Sequence, residues 1–142
     1  MEISNLITNK IFVSVVLTWF TSFLIKFIIN YKNHGYSTEL FIATGGMPSS
    51  HAAFTAALTT ALYLTEGVSS LFVATLCFTI VIVYDAINLR GKIDKRLEEL
   101  RKTTKLKTFQ EFDPIGHTIS QVTAGIVLGI AIPMIIFFAT GS

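Results

Sequence analysis

Two histidines stand where a helix is about to begin. Gly45-Gly46-Met47-Pro48-Ser49-Ser50-His51 sets two glycines, a proline, two hydroxyls and a histidine ahead of an apolar run, and Gly116-His117-Thr118 repeats the arrangement in shorter form. The start of a helix has free N–H groups and the positive end of the macrodipole, so it holds a phosphate well, and serine hydroxyls add donors. Capping and turn-making account for the serines, the glycines and Pro48 by themselves, since Ser suits an N-cap and Pro a first helical turn. They do not call for His51 beside them. Thr118-x-x-Gln121 fits a capping box, which starts a helix at Thr118 and leaves His117 at its positive end. A cation is disfavoured there, so His117 should stay neutral, the form a nucleophile or general base needs. The plain alternative is a helix-flanking histidine with no chemistry.

Tyr84-Asp85-Ala86-Ile87-Asn88-Leu89-Arg90-Gly91 adds a carboxylate and a guanidinium at the end of another apolar run, readable equally as an ordinary interfacial ion pair. Lys26 lies inside an apolar run, where it either snorkels to the interface or points into a bundle. His51, Asp85 and His117 have the atoms to ligate a metal, but they fall on three separate elements without an H-x-x-x-H or H-E-x-x-H pattern. With Lys26 and Arg90 in the set, the ligand expected is an anion, and no metal or other cofactor is expected. His34 has no partner at fixed spacing and reads as a loop histidine. Trp19 and the twelve Phe read as lipid contacts or bundle packing.

The elements that must position these groups follow from composition. With 51% hydrophobic and 14% charged residues and a mean hydropathy of +0.63, 142 residues are too apolar for a water-soluble domain. The single Cys77 excludes an internal disulfide framework. A bilayer crossing takes about 20 mostly apolar helical residues. Four stretches meet or approach that length: Ile11 to Tyr31, Ser49 to Thr65, Gly67 to Tyr84 closed by Asp85, and Thr118 to Thr140. The charged stretch Lys92 to Lys107 carries Ile93, Leu97 and Leu100 on one face and Glu98 opposite Lys102, which predicts an interfacial or solvated helix joining two spans. The fold expected is therefore all-α: one integral-membrane domain over residues 1–142, a polytopic bundle of about four transmembrane helices plus an interfacial helix.

Four spans put the segments 32–48 and 90–115 on one side. Of the 11 Lys and Arg, only Lys10 precedes the first span, and the rest are Lys26, Lys32 or fall between Arg90 and Lys107. The positive-inside rule makes that side cytoplasmic, with both termini outside. No basic n-region precedes the first apolar run, so a removable signal peptide is not expected. The same topology brings the end of the first span, the start of the second, the end of the third and the start of the fourth to one face. Lys26, His51, Asp85, Arg90 and His117 then share a side: cations, helix N-termini and histidines suited to a phosphate, with an acid and a base or nucleophile at hand.

At Gly46-Met47-Pro48-Ser49-Ser50-His51, with Tyr84-Asp85-Ala86 and Gly116-His117-Thr118 in that order, the chain resembles the divergent bacterial branch of the type 2 phosphatidic acid phosphatase superfamily, related to acid phosphatases and vanadium haloperoxidases. The resemblance covers nearly the whole chain. In the wider superfamily a P-S-G-H motif supplies phosphate-binding donors and a histidine acid, a later histidine attacks phosphorus with help from an acidic residue, and Lys and Arg hold the phosphate oxygens. Pro48-Ser49-Ser50-His51 matches with Ser50 in place of glycine, His117 is similar to the later histidine, and Lys26 to the lysine of the first motif. Three features depart from the pattern. No Arg-Pro pair follows Lys26, Gln121 stands four residues after His117 where an acidic residue is usual, and Arg90 is far upstream of His117. Asp85 and Arg90 can replace the missing groups only by proximity in space.

The resemblance implies a phosphatase of a membrane lipid phosphate, phospholipid or isoprenoid, in the inner membrane with its site facing the cytoplasm and a phosphohistidine intermediate. His117, His51 and Asp85 are the expected catalytic residues, and Lys26, Ser49, Ser50 and Arg90 the expected phosphate ligands. The alternative is a small membrane protein that binds anionic headgroups or a partner protein without turnover. A homo-oligomer, a dimer in the simplest case, is expected because four short spans bury little surface; no nucleic-acid partner is expected.

Overall fold

The structure, a computed structural model, describes residues 8–34, 46–103 and 115–141. It contains α1 (Lys10–His34), α2 (Ser50–Glu66), α3 (Ser70–Tyr84), a π turn (Asp85–Leu89), α4 (Arg90–Thr103) and α5 (Ile119–Thr140), with no strand among the described residues. The chain is an all-α membrane bundle. Three of its helices are long and apolar enough to cross a bilayer: Lys10–Lys32, Ser70–Leu100 and Ile119–Thr140. The other, α2, has 17 residues, about 25 Å of helix at 1.5 Å per residue. It is the central element, packed on α5, α1 and α3.

Three helices, α1, α3 and α5, begin where a side chain takes orphan N–H groups. Asn9 Oδ1 accepts from Ile11 and Phe12, Ser69 Oγ from Phe72, and Thr118 forms the expected capping box with Gln121. Gly67 ends α2 at φ +67°, its N–H returning to the Tyr63 carbonyl. His34, expected on a loop, is the last residue of α1. Gly45 and the end of the expected charged helix, 104–107, lie outside the described residues.

What holds the helices together is small side chains. Gly125, Gly129 and Pro133, four residues apart on α5, are buried, and the two glycines lie against Ala52, Ala53, Ala56 and Ala57 of α2. A Cβ at Gly129 would lie 2.6 Å from both the Ala53 carbonyl oxygen and the Ala56 Cβ, and one at Gly125 would collide with the Ser49 carbonyl. Lipid tails are as apolar as leucine, so helices in a bilayer associate through such close contact and not through burial from water. On α1 the buried face is polar: Ser14, Thr18, Ser22 and Lys26, again four apart. Thr18 and Ser22 return their hydroxyls to carbonyls of their own helix, at 2.7 and 2.8 Å. Thr59 and Thr79 join α2 to α3 at 3.0 Å. The outer face of α3, including Leu71, Val73, Phe78 and Ile80, is exposed, as suits a helix surrounded by hydrocarbon.

The third span does not end at Asp85. Asp85 opens a π turn, with the Arg90 N–H bonded to the Asp85 carbonyl, and the helix runs on through Thr103. On α4, Glu98 and Lys102 form the expected pair, 3.6 Å apart and well exposed. Such a contact contributes about 0.3–0.5 kcal/mol.

Gly129→Val should lower the thermal midpoint in detergent, because overpacking of this kind costs about 1–3 kcal/mol or more. Gly91→Ala, where a Cβ meets nothing within 4 Å, should instead gain about 0.5–1 kcal/mol of helix propensity. A Gly129 variant as stable as the parent would show that α2 and α5 are not in close contact.

Candidate functional site

Backbone hydrogen bonds join the starts of α2 and α5 and the π turn after α3, and side chains of α1 lie beside them. The Ser49 N–H, just before α2, donates to the Gln121 carbonyl in the first turn of α5, at 2.9 Å. The His117 N–H donates to the Ala86 carbonyl inside the π turn, at 3.0 Å. Gly46, at φ +103°, brings its backbone against Lys26 and Asn30 of α1; a Cβ there would sit 3.3 Å from the Lys26 Cε. The motif ahead of α2 is thereby tied to α1 on one side and α5 on the other.

Asp94, on α4, fastens the loop before His117. Its two carboxylate oxygens accept from the Ile115 N–H at 3.0 Å and the Gly116 N–H at 2.7 Å. Gly116 has to be glycine, since a Cβ would lie 2.7 Å from Asp94 Oδ2 and 2.8 Å from the Gly91 nitrogen. Sequence reasoning missed Asp94: it sits in a run of charges that looks solvated throughout. The glycine directly before His117 was the available signal, because it marks a close approach without naming the partner.

Lys26 and His117 are 8% and 7% exposed. Burial, then the charges of Lys26, His51 and Arg90, push the His117 imidazole down to about 4, opposed by Asp94. His117 is thus neutral, for reasons beyond the helix dipole. Arg90, Lys26 and Asp85 also reach His51 electrostatically, so these five residues share one electrostatic neighbourhood. Asp85 Oδ2 accepts from Arg90 Nε at 2.7 Å, both side chains about a third exposed. In an α-helix, residues five apart lie about 140° apart around the axis, so this bridge depends on the π turn between them.

Ser49 and Ser50 occupy the N-cap and first position of α2. Pro48 precedes the cap and lies outside the first turn, where it was expected. Ser49 stands at the cap yet makes no side-chain cap bond. Its Oγ and the His117 Nδ1 are buried without hydrogen-bond partners. A buried polar atom left unmatched costs about 1–3 kcal/mol, so two of them flanking one group of cations mark a place that an oxygen-rich ligand can satisfy. Among the described residues no carboxylate is bonded to the His117 Nδ1; Asp85 is engaged with Arg90 and Asp94 with backbone amides. Among the described residues no three His, Cys, Asp or Glu side chains gather as a metal site would require. The set of Lys26, Arg90, Ser49 and two helix N-termini is one for an anion.

A model of the Divergent PAP2 family matches residues 7–132. The chain belongs to that family. It is also similar to an uncharacterized membrane protein of Bacillus subtilis (strain 168), YuiD, with 40% identity over 79 residues, 55% of this chain and 48% of the relative. The match thus spans about half of that relative's length. No solved structure matches the chain. In this member of the Divergent PAP2 family, Gln121 is committed to the helix start: its Oε1 accepts from the Thr118 N–H at 2.9 Å.

Two measurements check this geometry. In an NMR pH titration His117 should protonate near pH 4, and Lys26→Met, which removes a cation that lowers it, should move that value up toward the ordinary 6.5. A His117 titrating near 6.5 in the parent would remove it from the buried cluster. Asp94→Ala deletes two charge-assisted bonds of about 1.5–3 kcal/mol each, so hydrogen exchange at Ile115 and Gly116 should rise by about tenfold or more; unchanged exchange would deny the clamp.

Proposed function

We propose that this membrane protein is a metal-independent phosphatase that hydrolyses the phosphomonoester or diphosphate headgroup of a membrane lipid, phospholipid or isoprenoid. The carrying observation is the cation cluster around two buried, unpartnered polar atoms, Ser49 Oγ and His117 Nδ1. The excess of Lys and Arg in segments 32–48 and 90–115 favours a multi-pass protein of the inner membrane with this face in the cytoplasm. Residues 1–142 are read as one phosphatase-like domain.

In this reading His117 attacks phosphorus through a ring nitrogen as the bond to the leaving oxygen breaks, and His51 gives that oxygen a proton. The neutral His51 then takes a proton from water, the water oxygen attacks phosphorus, the N–P bond breaks and phosphate leaves. Lys26, Arg90, Ser49, Ser50 and the N-termini of α2 and α5 stabilise charge on the equatorial oxygens. Asp85 acts through Arg90, holding the guanidinium in place. A bound phosphate dianion offsets the cations that depress the basicity of His117, so the nucleophile strengthens when substrate arrives.

Gln121, standing where the wider superfamily has an acidic residue and used here as a cap, favours the second reading, an anionic-headgroup binder without turnover. Phosphate release from lipid monophosphates and diphosphates, with chelator present, separates the two. Under the first, His117→Ala and His51→Ala each reduce the rate by at least about a hundredfold; a loss below about tenfold counts against the assigned role. Folded protein that binds anionic lipid but releases nothing across the panel supports the second. The homodimer expected from the short spans belongs to the same reading, and cross-linking in native membranes checks it.

A further inference from the structure

A groove of about 270 Å³ runs from the site into the bundle between α1, α2 and α3. Ser50 and His51 form one end, and Trp19, Phe54, Phe78 and Ile82 form most of the rest. Thr55 also lines it, but its hydroxyl is taken by the His51 carbonyl at 3.0 Å. From Ser50 to Thr55 the wall descends about 7.5 Å along α2. Trp19, Phe54 and Phe78 are 49, 40 and 53% exposed, so the groove opens on the surface that faces hydrocarbon. A pocket with one polar end at the phosphate-binding residues and an apolar body fits an amphiphile held along its length.

We propose that this groove holds one hydrocarbon chain of the molecule whose phosphate lies at His51, making the preferred ligand a phosphate ester with a single chain, such as an alkyl or prenyl monophosphate or a lysophospholipid. This rests on the phosphate-site reading above. Continuity with Ser50 and His51 argues for a chain covalently joined to the phosphate and against a bystander lipid. Size argues for one chain. An apolar cavity of about 150 Å³ takes one benzene-sized molecule, and less than twice that volume leaves no room for two acyl chains side by side. Phe78 and Ile82, one turn apart on α3, set the width and would determine which chains enter.

Trp19 is the single tryptophan of the chain, and it lines the groove, so its fluorescence reports occupancy directly. The probe is an alkyl phosphonate brominated at mid-chain, which keeps a dianionic head and has no phosphoester to hydrolyse, added at low mole fraction to the full-length protein in unbrominated nanodiscs. Quenching should be saturable and reversed by the unbrominated phosphonate. It should weaken by about tenfold or more in Ile82→Phe, which narrows the groove, and in Phe78→Ala, which removes a wall from an exposed position. Quenching that grows linearly with mole fraction, equal for a brominated alkanol and unchanged in both variants, would overturn the proposal, because Trp19 would then report bulk lipid. Equal saturation by a brominated diacyl phosphatidate would overturn the single-chain assignment. Phosphate release from the matching alkyl phosphate is measured in parallel. Saturable quenching without release keeps the groove and removes the phosphatase reading; release without saturable quenching does the reverse.

Discussion

The N-termini of α2 and α5 come together because their helices approach more closely than ordinary side chains allow. That approach is what Gly125 and Gly129 permit, and the rest of the site depends on it. The seam of small residues on α2 begins at Ser49, whose carbonyl lies against Gly125 and whose N–H bonds the Gln121 carbonyl. Packing and site are thus continuous: the contact that associates α2 with α5 in a solvent offering no hydrophobic drive also fixes the distance between the Ser49-Ser50-His51 end and the His117-Thr118 end. A side chain at either glycine would push the helices apart and separate those two ends.

The second constraint is the π turn. A regular helix through Asp85 would turn Arg90 away from it, and the charged helix α4 would leave the membrane in a different rotational register. With the extra residue accommodated at Asp85–Leu89, Asp85 and Arg90 meet, the Ala86 carbonyl accepts the His117 N–H, and Asp94 arrives two turns later to hold Ile115 and Gly116. One local irregularity therefore sets both a cation and a histidine. π turns gather at functional positions because the register change has a cost that regular structure avoids.

How much of this was legible differs by the kind of signal. The apolar stretches are written in hydropathy, and except for the end of the third, which runs on through α4, their ends agree with the helices to within a few residues, with Thr118 and Gln121, Ser69 and Gly67 marking some of them. The π turn leaves no such trace, since Asp85 to Leu89 reads the same whether the helix stops, continues or gains a residue. Asp94 was hidden for a related reason. Among Lys92, Lys95, Arg96, Glu98 and Glu99 it is one charge in a solvated-looking row, and only three-dimensional placement separates the carboxylate that clamps a loop from those that pair with a neighbour. Ser49 misleads in the opposite direction. Its position is that of a cap, yet its hydroxyl makes no cap bond.

Placing cations below a membrane surface is costly unless something compensates, and the arrangement around Lys26 shows what the compensation is for. Among the described residues, Asp85 is turned to Arg90 and Asp94 to backbone amides. Burial and the charges of Lys26, His51 and Arg90 hold His117 neutral down to about pH 4. A neutral imidazole, a buried lysine and an unmatched serine hydroxyl are each unfavourable alone. Together they leave Ser49 Oγ and His117 Nδ1 buried and unmatched, an arrangement that an oxygen-rich anion would satisfy. On the reading proposed above, head and tail follow one physical logic: an amphiphile with an anionic end would meet polar groups at Ser50 and His51 and an apolar wall along the rest of the groove.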